Sequence, residues 1–405
     1  MNSSPFKVYG YRWIVLAGFM LAVMFNQLLW ITFAPITGPA AAYYGVSDLS
    51  IGLLSMSFMI AYLFVALPAS WAIDTFGFRT AVSIGAALTG VFGLMRGLVA
   101  ANYTLVLIAQ IGIALGQPFI LNAVTKVAAR WFPLSERATA SGLGTLAIYV
   151  GILASLVLTP VLTLQLGISA MLRLSGAGAL IAALVFIAVA RERPATPPGP
   201  PEQEERALML DGLRQILRKR EFQLLLLVFF VGLGVFNSVT TWIEDILRPR
   251  GFSITEAGIA GGVMILGGVI GALVLPGFSD RNRRRVPFIV IALAGAIPGL
   301  AGITFATTLA LLYLAAFVFG FFLLSSGPIG FQYGAEIGRP TPEGTSNGLL
   351  LLMGQISGIA FIFAMDSFKL PATGSMTPSL VGLLVLMGLA LLAATRLRES
   401  PLLSQ

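Results

Sequence analysis

The chain contains 405 residues, of which 57% are hydrophobic and only 10% are charged, and its mean hydropathy is +0.91. A soluble domain carries about 25% charged residues because its surface faces water, so this composition excludes a soluble enzyme and predicts a membrane protein. The formal net charge of +8 does not indicate nucleic-acid binding, because the basic residues are distributed by membrane side, as described below.

Twelve apolar segments follow one another along the chain. A membrane span needs about 20 mostly apolar residues, and its backbone groups must be paired within the segment, so each is predicted to be an α-helix. The first apolar run is too long for the core of a signal peptide, so we expect no cleaved leader. The predicted spans are 13–38, 50–73, 80–101, 104–128, 138–162, 170–190, 222–246, 255–279, 286–306, 309–334, 345–368 and 377–396.

The longest break separates the sixth and seventh spans. Between Arg191 and Glu221 the sequence carries five prolines, then three glutamates and a basic run that ends at Arg220. This composition is typical of an extended linker followed by a short amphipathic surface helix. The predicted organisation is a six-helix bundle at 1–190, a cytoplasmic linker at 191–221 and a second six-helix bundle at 222–405.

The basic residues predict the orientation of the chain. With both termini in the cytoplasm, 20 of the 25 Lys and Arg residues lie on the cytoplasmic side and five lie outside, as the positive-inside rule requires. The five outer residues are Arg96, Arg173, Arg248, Arg250 and Lys369. We therefore expect a multi-pass protein with cytoplasmic termini, and the short loops and lack of cysteine favour a prokaryotic cytoplasmic (inner) cell membrane.

The two halves repeat each other. The loop after the second span contains Asp74-Thr-Phe-Gly77-Phe-Arg79, and the loop after the eighth contains Asp280 followed by Arg281, an offset of 206 between the aspartates. The segments that end at Glu136 and Glu343 repeat at an offset of 207. Two motif pairs at nearly one offset indicate a duplicated six-helix unit. This is the arrangement of major facilitator transporters, in which we expect the substrate between the halves near the midplane.

The repeated loops predict a conformational latch. An aspartate at a helix end can pair with arginine or accept from helix N-terminal N–H groups, and a glycine permits the tight turn. The alternative is that these charges only set topology and cap helices. The predicted latch residues are Asp74, Gly77, Arg79, Arg130, Glu136, Arg137, Asp280, Arg281, Glu336 and Glu343.

Polar residues deep in the spans are candidates for substrate binding. A buried amide in lipid is unfavourable unless it meets a partner or a hydrated cavity. Helix–helix hydrogen bonding is the alternative for each of them. The candidates are Asn26, Gln27 and Trp30 in span one, Gln117 and Asn122 in span four, Asn237 in span seven and Gln355 in span eleven.

The pattern of charge narrows the substrate class. No Lys or Arg lies in the middle of a span, which disfavours anionic substrates that need a buried basic group. Cysteine and histidine are both absent, so we expect no metal site and no cofactor, and Glu244 is the one candidate for coupling to protons. The indole of Trp30 can attract a desolvated cation, although it can equally pack against a neighbour.

Several stretches of the sequence resemble the feline leukaemia virus subgroup C receptor-related family, the solute carrier 49 group. They are the segments 54–62, 68–79, 116–121, 131–132 and 328–359, so the likeness covers nearly the whole chain apart from the linker and tails. The resemblance implies facilitated diffusion of choline and ethanolamine, or haem export. Haem cannot be ligated through histidine here, because the chain has none.

The resemblance also implies a choline site. In the family it contains an aromatic residue in span one, a glutamine in span four, an aromatic in span seven and a glutamine in span eleven. The matching positions are Trp30, Gln117, Asn237 and Gln355. Asn237 stands where the family usually has tyrosine, so one wall of the aromatic cage is missing.

The predicted function is a secondary transporter of a small amine resembling choline or ethanolamine, working as a uniporter by alternating access. The alternative is a proton-coupled transporter of another organic solute (haem, a metabolite or a drug-like compound) that uses Glu244. A receptor without transport activity would carry a large soluble domain, and an ATP-driven pump would carry a phosphate-binding glycine loop, which the sequence lacks. The expected partners are a small-molecule substrate and the lipid bilayer, with no nucleic acid, and the expected state is a monomer.

Overall fold

The computed structural model describes residues 6–198, 215–339, 341 and 343–400. In this part of the chain the secondary structure is entirely helical, and 11 helices are long and apolar enough to cross a membrane. One of these, Leu134–Val189, has 56 residues and is interrupted at Gly167, whose φ is 79°. It therefore supplies two spans, and the prediction of a helical membrane protein with twelve spans is confirmed.

The chain divides into two compact units, Met1–Gln203 and Glu204–Gln405. The predicted linker helix lies mostly within residues 199–214, outside the described residues. The boundaries proposed for the bundles and the linker stay predictions.

Within residues 6–198, the first unit contains seven α-helices. They are α1 (Arg12–Trp30), α2 (Thr37–Tyr44), α3 (Asp48–Phe76), α4 (Phe78–Leu98), α5 (Tyr103–Leu121), α6 (Val124–Trp131) and α7 (Leu134–Val189). The first predicted span is a broken helix, because α1 ends at Trp30 and a 3-10 turn (Ala34–Ile36) precedes α2. The fourth is also broken, between α5 and α6, three residues after Pro118.

From Arg220 onward, the described part of the second unit likewise contains seven α-helices. They are α8 (Arg220–Thr241), α9 (Ile243–Leu247), α10 (Ile254–Arg281), α11 (Val286–Phe305), α12 (Leu309–Gly338), α13 (Glu343–Ser367) and α14 (Thr377–Ala394). The seventh predicted span, 222–246, is interrupted at Trp242, where α8 ends. The first span of each unit is thus a broken helix.

Helix starts repeat between the units. The Ser47 hydroxyl caps α3 by accepting from Ser50 N, and Ser253, 206 residues later, caps α10 by accepting from Glu256 N. Asn102 and Thr308, again 206 apart, cap α5 and α12. The duplication predicted from the loop motifs therefore extends to the helix caps.

Small residues allow the helices of each unit to pack closely. A Cβ added to Gly85 of α4 would come within 2.6 Å of the Gly116 carbonyl of α5, and one added to Gly116 within 2.5 Å of the Gly85 carbonyl. In lipid no hydrophobic effect drives helices together, so such close backbone contact supplies the packing energy.

Candidate functional site

Trp30 is the last residue of α1, immediately before the break in the first span. Its side chain is buried, and the indole Nε1 donates to the carbonyl of Ser55 in α3 at 3.1 Å. The hydrogen bond satisfies the polar edge of the ring and holds Trp30 against α3.

Two of the predicted site residues carry amides with no hydrogen-bond partner in the described part of the chain. Gln117 is buried in α5 of the first unit, directly before Pro118. Gln355 is half-buried in α13 of the second unit. An unpaired amide at membrane depth is unfavourable, so each of these side chains is available to a ligand or to water.

Asn237 lies next to Gln355 in the second unit. Its buried side-chain Nδ2 donates to the Gly354 carbonyl at 3.1 Å, which joins α8 to α13 at the residue before Gln355. Asn237 is therefore placed to orient the Gln355 backbone, and its amide is partly used for this purpose.

Two of the other three amides, those of Asn26 and Asn122, make hydrogen bonds to other helices of the first unit, which is the alternative that the sequence left open. Asn26 Nδ2 donates to Thr89 Oγ1 at 3.0 Å, and Gln27 Nε2 donates to Asn26 Oδ1 at 3.1 Å. Asn122 accepts from the Tyr62 hydroxyl at 2.9 Å and donates to Ser70 and to a backbone carbonyl of α3. The Gln27 bond lies within α1, and a role of these three residues in substrate binding stays a prediction.

Glu244, the candidate for proton coupling, lies in the short helix α9. Glu244 is 2% exposed, and its carboxylate pairs with Arg248 at 3.2 Å. The adjacent Asp245 is fully buried and pairs with Arg248 and with Lys369, the latter at 2.8 Å. Glu244 thus belongs to a network of ion pairs after the break in the seventh span.

The predicted latch residues lie at one end of each unit, which we call the basic end. It comprises the loops at 74–79 and 131–137 in the first unit and at 280–286 and 336–343 in the second. Within the first unit Lys126 pairs with Asp74 at 3.1 Å and Arg12 pairs with Glu136 at 3.0 Å. Arg137 Nε donates to the Phe132 carbonyl at 3.2 Å.

The second unit builds its basic-end network around Arg285. This guanidinium pairs with Asp280 and, at 3.1 Å, with Glu336. Burial lowers the pKa of Arg285, but the hydrogen bonds and charges of Asp280 and Glu336 outweigh burial and raise it overall. Arg281 is the last residue of α10 and Glu343 the first of α13.

Two glutamates at the basic end were not among the residues predicted from the sequence. The Glu192 carboxylate, just after the sixth span, accepts from the backbone N–H groups of Phe78 and Arg79 at 3.3 and 2.8 Å. Glu399, 207 residues later, accepts from the N–H groups of Arg285 and Val286 at 3.1 and 2.8 Å. Each carboxylate caps the first turn of the third span of its unit. Extending the repeat offset to charged residues outside the loops would have found this pair.

The other predicted latch residues surround the same caps. Gly77 has φ 84°, and a Cβ there would collide with the Glu192 carboxylate. Arg79 contributes its backbone N–H to Glu192, and Arg130 lies in the last turn of α6. The ion pairs described above all join residues of the same unit, so the latch across the two halves stays a prediction.

A known protein family and several known proteins match the chain over most of its length. The family model of the Major Facilitator Superfamily matches residues 19–362. Solute carrier family 49 member A3 of Danio rerio is 31% identical, over 91% of this chain and 81% of that protein. The choline/ethanolamine transporter FLVCR2 of Homo sapiens is 27% identical, over 88% of this chain and 72% of that protein.

Solved structures with similar folds are also transporters. A bacterial homologue of the human lysosomal transporter Spinster superposes with a TM-score of 0.77 at 18% identity, covering 96% of this chain and 98% of that one. The nucleoside transporter NupG gives a TM-score of 0.74 at 14% identity, with coverage of 95% and 99%. At these identities the likeness concerns the fold alone.

Proposed function

Because the chain belongs to the major facilitator superfamily and, within it, to the solute carrier 49 family, we propose that it transports a choline- or ethanolamine-like amine by facilitated diffusion. The observation that carries the proposal is the pair of glutamine amides, Gln117 and Gln355, that lack hydrogen-bond partners in the described residues. They stand, with Trp30, at positions that the family resemblance assigns to choline binding. The names of the FLVCR relatives give the same substrate class.

The chemistry of these side chains suits a small amine that carries a hydroxyl group. The indole of Trp30 can stabilise a desolvated ammonium by about 2 kcal/mol through its π face. Gln117 and Gln355 each offer a carbonyl oxygen and an NH2 group, so they can accept from and donate to a hydroxyl. Because both amides are neutral, they exert no charge repulsion on the ammonium group of the substrate.

Asn237 shapes the proposed specificity. Tyrosine is usual in the family at this position, and the amide here bonds to Gly354 instead of adding a second aromatic wall. We therefore expect binding of the substrate ammonium to depend on Trp30 more strongly than it would in a site with two aromatic walls. This would favour a smaller headgroup such as ethanolamine.

The proposed site is tested by uptake of labelled choline and ethanolamine into proteoliposomes. Trp30→Ala should raise KM about tenfold or more, since 1.4 kcal/mol corresponds to a factor of ten. Gln117→Ala and Gln355→Ala should each weaken uptake several-fold. The matched controls are Trp71→Ala and Gln223→Ala, because Trp71 is 61% exposed and Gln223 is exposed in the first turn of α8. Equal uptake by Trp30→Ala and Trp71→Ala would contradict the assigned site.

Proton coupling through Glu244 is the second candidate, favoured by the burial of this carboxylate. Its ion pair with Arg248 opposes it, because Glu244 must lose that partner before it takes up a proton. We expect uptake to be unaffected by an imposed pH gradient and to persist in Glu244→Gln. Uptake that follows the gradient in the wild type and fails in Glu244→Gln would instead establish proton coupling.

A further inference from the structure

The break in the first span leaves carbonyl groups that need partners inside the membrane. The α1 helix ends at Trp30, and the last four carbonyls of any helix have no partner within it. Lipid offers none, so other side chains must supply them. The Leu28 carbonyl accepts from Thr32 Oγ1 and from Ser155 Oγ, both at 2.8 Å.

Arg96 and Gln110 take the carbonyls closest to the break. Arg96 Nη1 donates to the Leu29 carbonyl at 3.0 Å, and Gln110 Nε2 donates to the same oxygen at 3.2 Å and to that of Trp30 at 3.5 Å. The two side chains are joined by a 2.6 Å hydrogen bond from Arg96 Nη1 to Gln110 Oε1. Arg96 belongs to α4 and Gln110 to α5, so the carbonyl end of α1 is held by two other helices of the first unit.

Arg96, predicted from the sequence to lie outside the membrane, lies instead in the last turn of α4 and is buried against the end of α1. Its side chain is 0% exposed, and it makes no ion pair with any residue that the structure describes. Its guanidinium instead donates from Nη2 to Thr32 Oγ1 at 3.3 Å. The guanidinium carbon Cζ also lies 5.4 Å from the centroid of the Phe33 ring. The negative end of the α1 dipole is the natural counter-charge for a cation in this place.

We propose that Arg96 and Gln110 are positioning residues that hold the break in the first span and thereby set the orientation of Trp30 toward the substrate. The backbone of Trp30 is held from one side by Gln110, with Arg96 beside it on the Leu29 carbonyl. Its indole is held from the other side by the Ser55 carbonyl. With both ends fixed, the ring keeps one orientation in the absence of substrate. The inference rests on the proposed function, because positioning affects transport only if Trp30 contacts the transported amine.

The orientation of Trp30 can be observed directly. Protein labelled with 5-fluorotryptophan contains five tryptophans and should give five fluorine resonances, with that of Trp30 identified by its loss in Trp30→Phe. Gln110→Leu removes both donor bonds and should shift or broaden the Trp30 resonance while leaving the other four in place. Gln110→Glu, which keeps an acceptor for Arg96 but loses the donor, is the second variant if Gln110→Leu does not fold. Gln223→Leu is the matched control. An unmoved Trp30 resonance overturns the proposal.

A double-mutant cycle then separates positioning from a general effect on stability. In proteoliposomes Gln110→Leu should raise the KM for choline about fivefold in the wild-type background. In the Trp30→Ala background the same change should raise it less than twofold, because the ring that Gln110 positions is gone. Effects that multiply in the double variant would overturn the claim that Gln110 acts through Trp30. Absence of wild-type uptake would refute the proposed function, while the resonances of the ligand-free protein would still decide the positioning.

Discussion

At the junction of α3 and α4, Gly77 combines two reasons for being glycine. Its φ of 84° lies in a region that L side chains rarely adopt, and the Glu192 carboxylate occupies the place of a Cβ. The carboxylate can approach because no side chain stands between it and the N–H groups of Phe78 and Arg79. One glycine thus permits both the turn and the cap.

Replacement of Gly77 should therefore destabilise the protein. We expect Gly77→Ala to lower the free energy of unfolding by about 2 kcal/mol, from backbone strain and from displacement of Glu192. The measurement is the thermal unfolding midpoint in detergent. Gly142→Ala is the control, since no atom lies within 4 Å of the Cβ that it would add to α7. Equal midpoints for the two variants would remove the role assigned to Gly77.

At the scale of helices, the two units cap the start of their third spans with residues at equivalent positions. The third span of each unit starts against a carboxylate that follows the sixth span, Glu192 in one unit and Glu399 in the other. Helix N-termini carry partial positive charge, so a carboxylate there is stabilising. The polar residues near the breaks in the first spans differ, since Arg96 donates to a carbonyl at the end of α1 in the first unit, whereas the Glu244–Arg248 ion pair follows the break in the second. The caps repeat, whereas the polar residues at the breaks do not.

The repeated caps can be tested by substitution. Glu192→Gln and Glu399→Gln should each lower the free energy of unfolding by about 1 kcal/mol, because the charge at the helix N-terminus is lost. The two effects should add in the double variant, since the caps share no partner. Thermal unfolding of the three variants, with Glu192→Asp to test the reach of the side chain, gives the measurement. A neutral Glu399→Gln would show that the repeat at this position is geometric only.

At the scale of the whole molecule, the chain is a multi-pass transporter of the major facilitator superfamily, built from two units that each supply six membrane spans. Its basic residues still predict which ends of the helices face the cytoplasm. The absence of cysteine makes this prediction easy to test, because introduced thiols have no background.

We expect a membrane-impermeant maleimide to label Thr307→Cys in intact cells, since this exposed residue precedes α12 on the predicted outer side. Lys7→Cys, also exposed, should be labelled only after the membrane is permeabilised. The reverse pattern would invert the orientation derived from the positive-inside rule. The cysteine-free parent protein is the control for both variants.

The sequence by itself determined the membrane class, the twelve spans and the duplication, because hydrophobic length, charge placement and motif offset are properties of the chain taken in order. It also selected the amides of Gln117 and Gln355 as candidates. Only the tertiary structure decided that Asn26 and Asn122 pair with neighbouring helices, that Arg96 binds the carbonyl end of α1, and that Glu192 caps α4. Whether a polar group in a membrane span is paired depends on helices distant in sequence, and hydropathy along the chain contains no information about which side chains those helices bring to it.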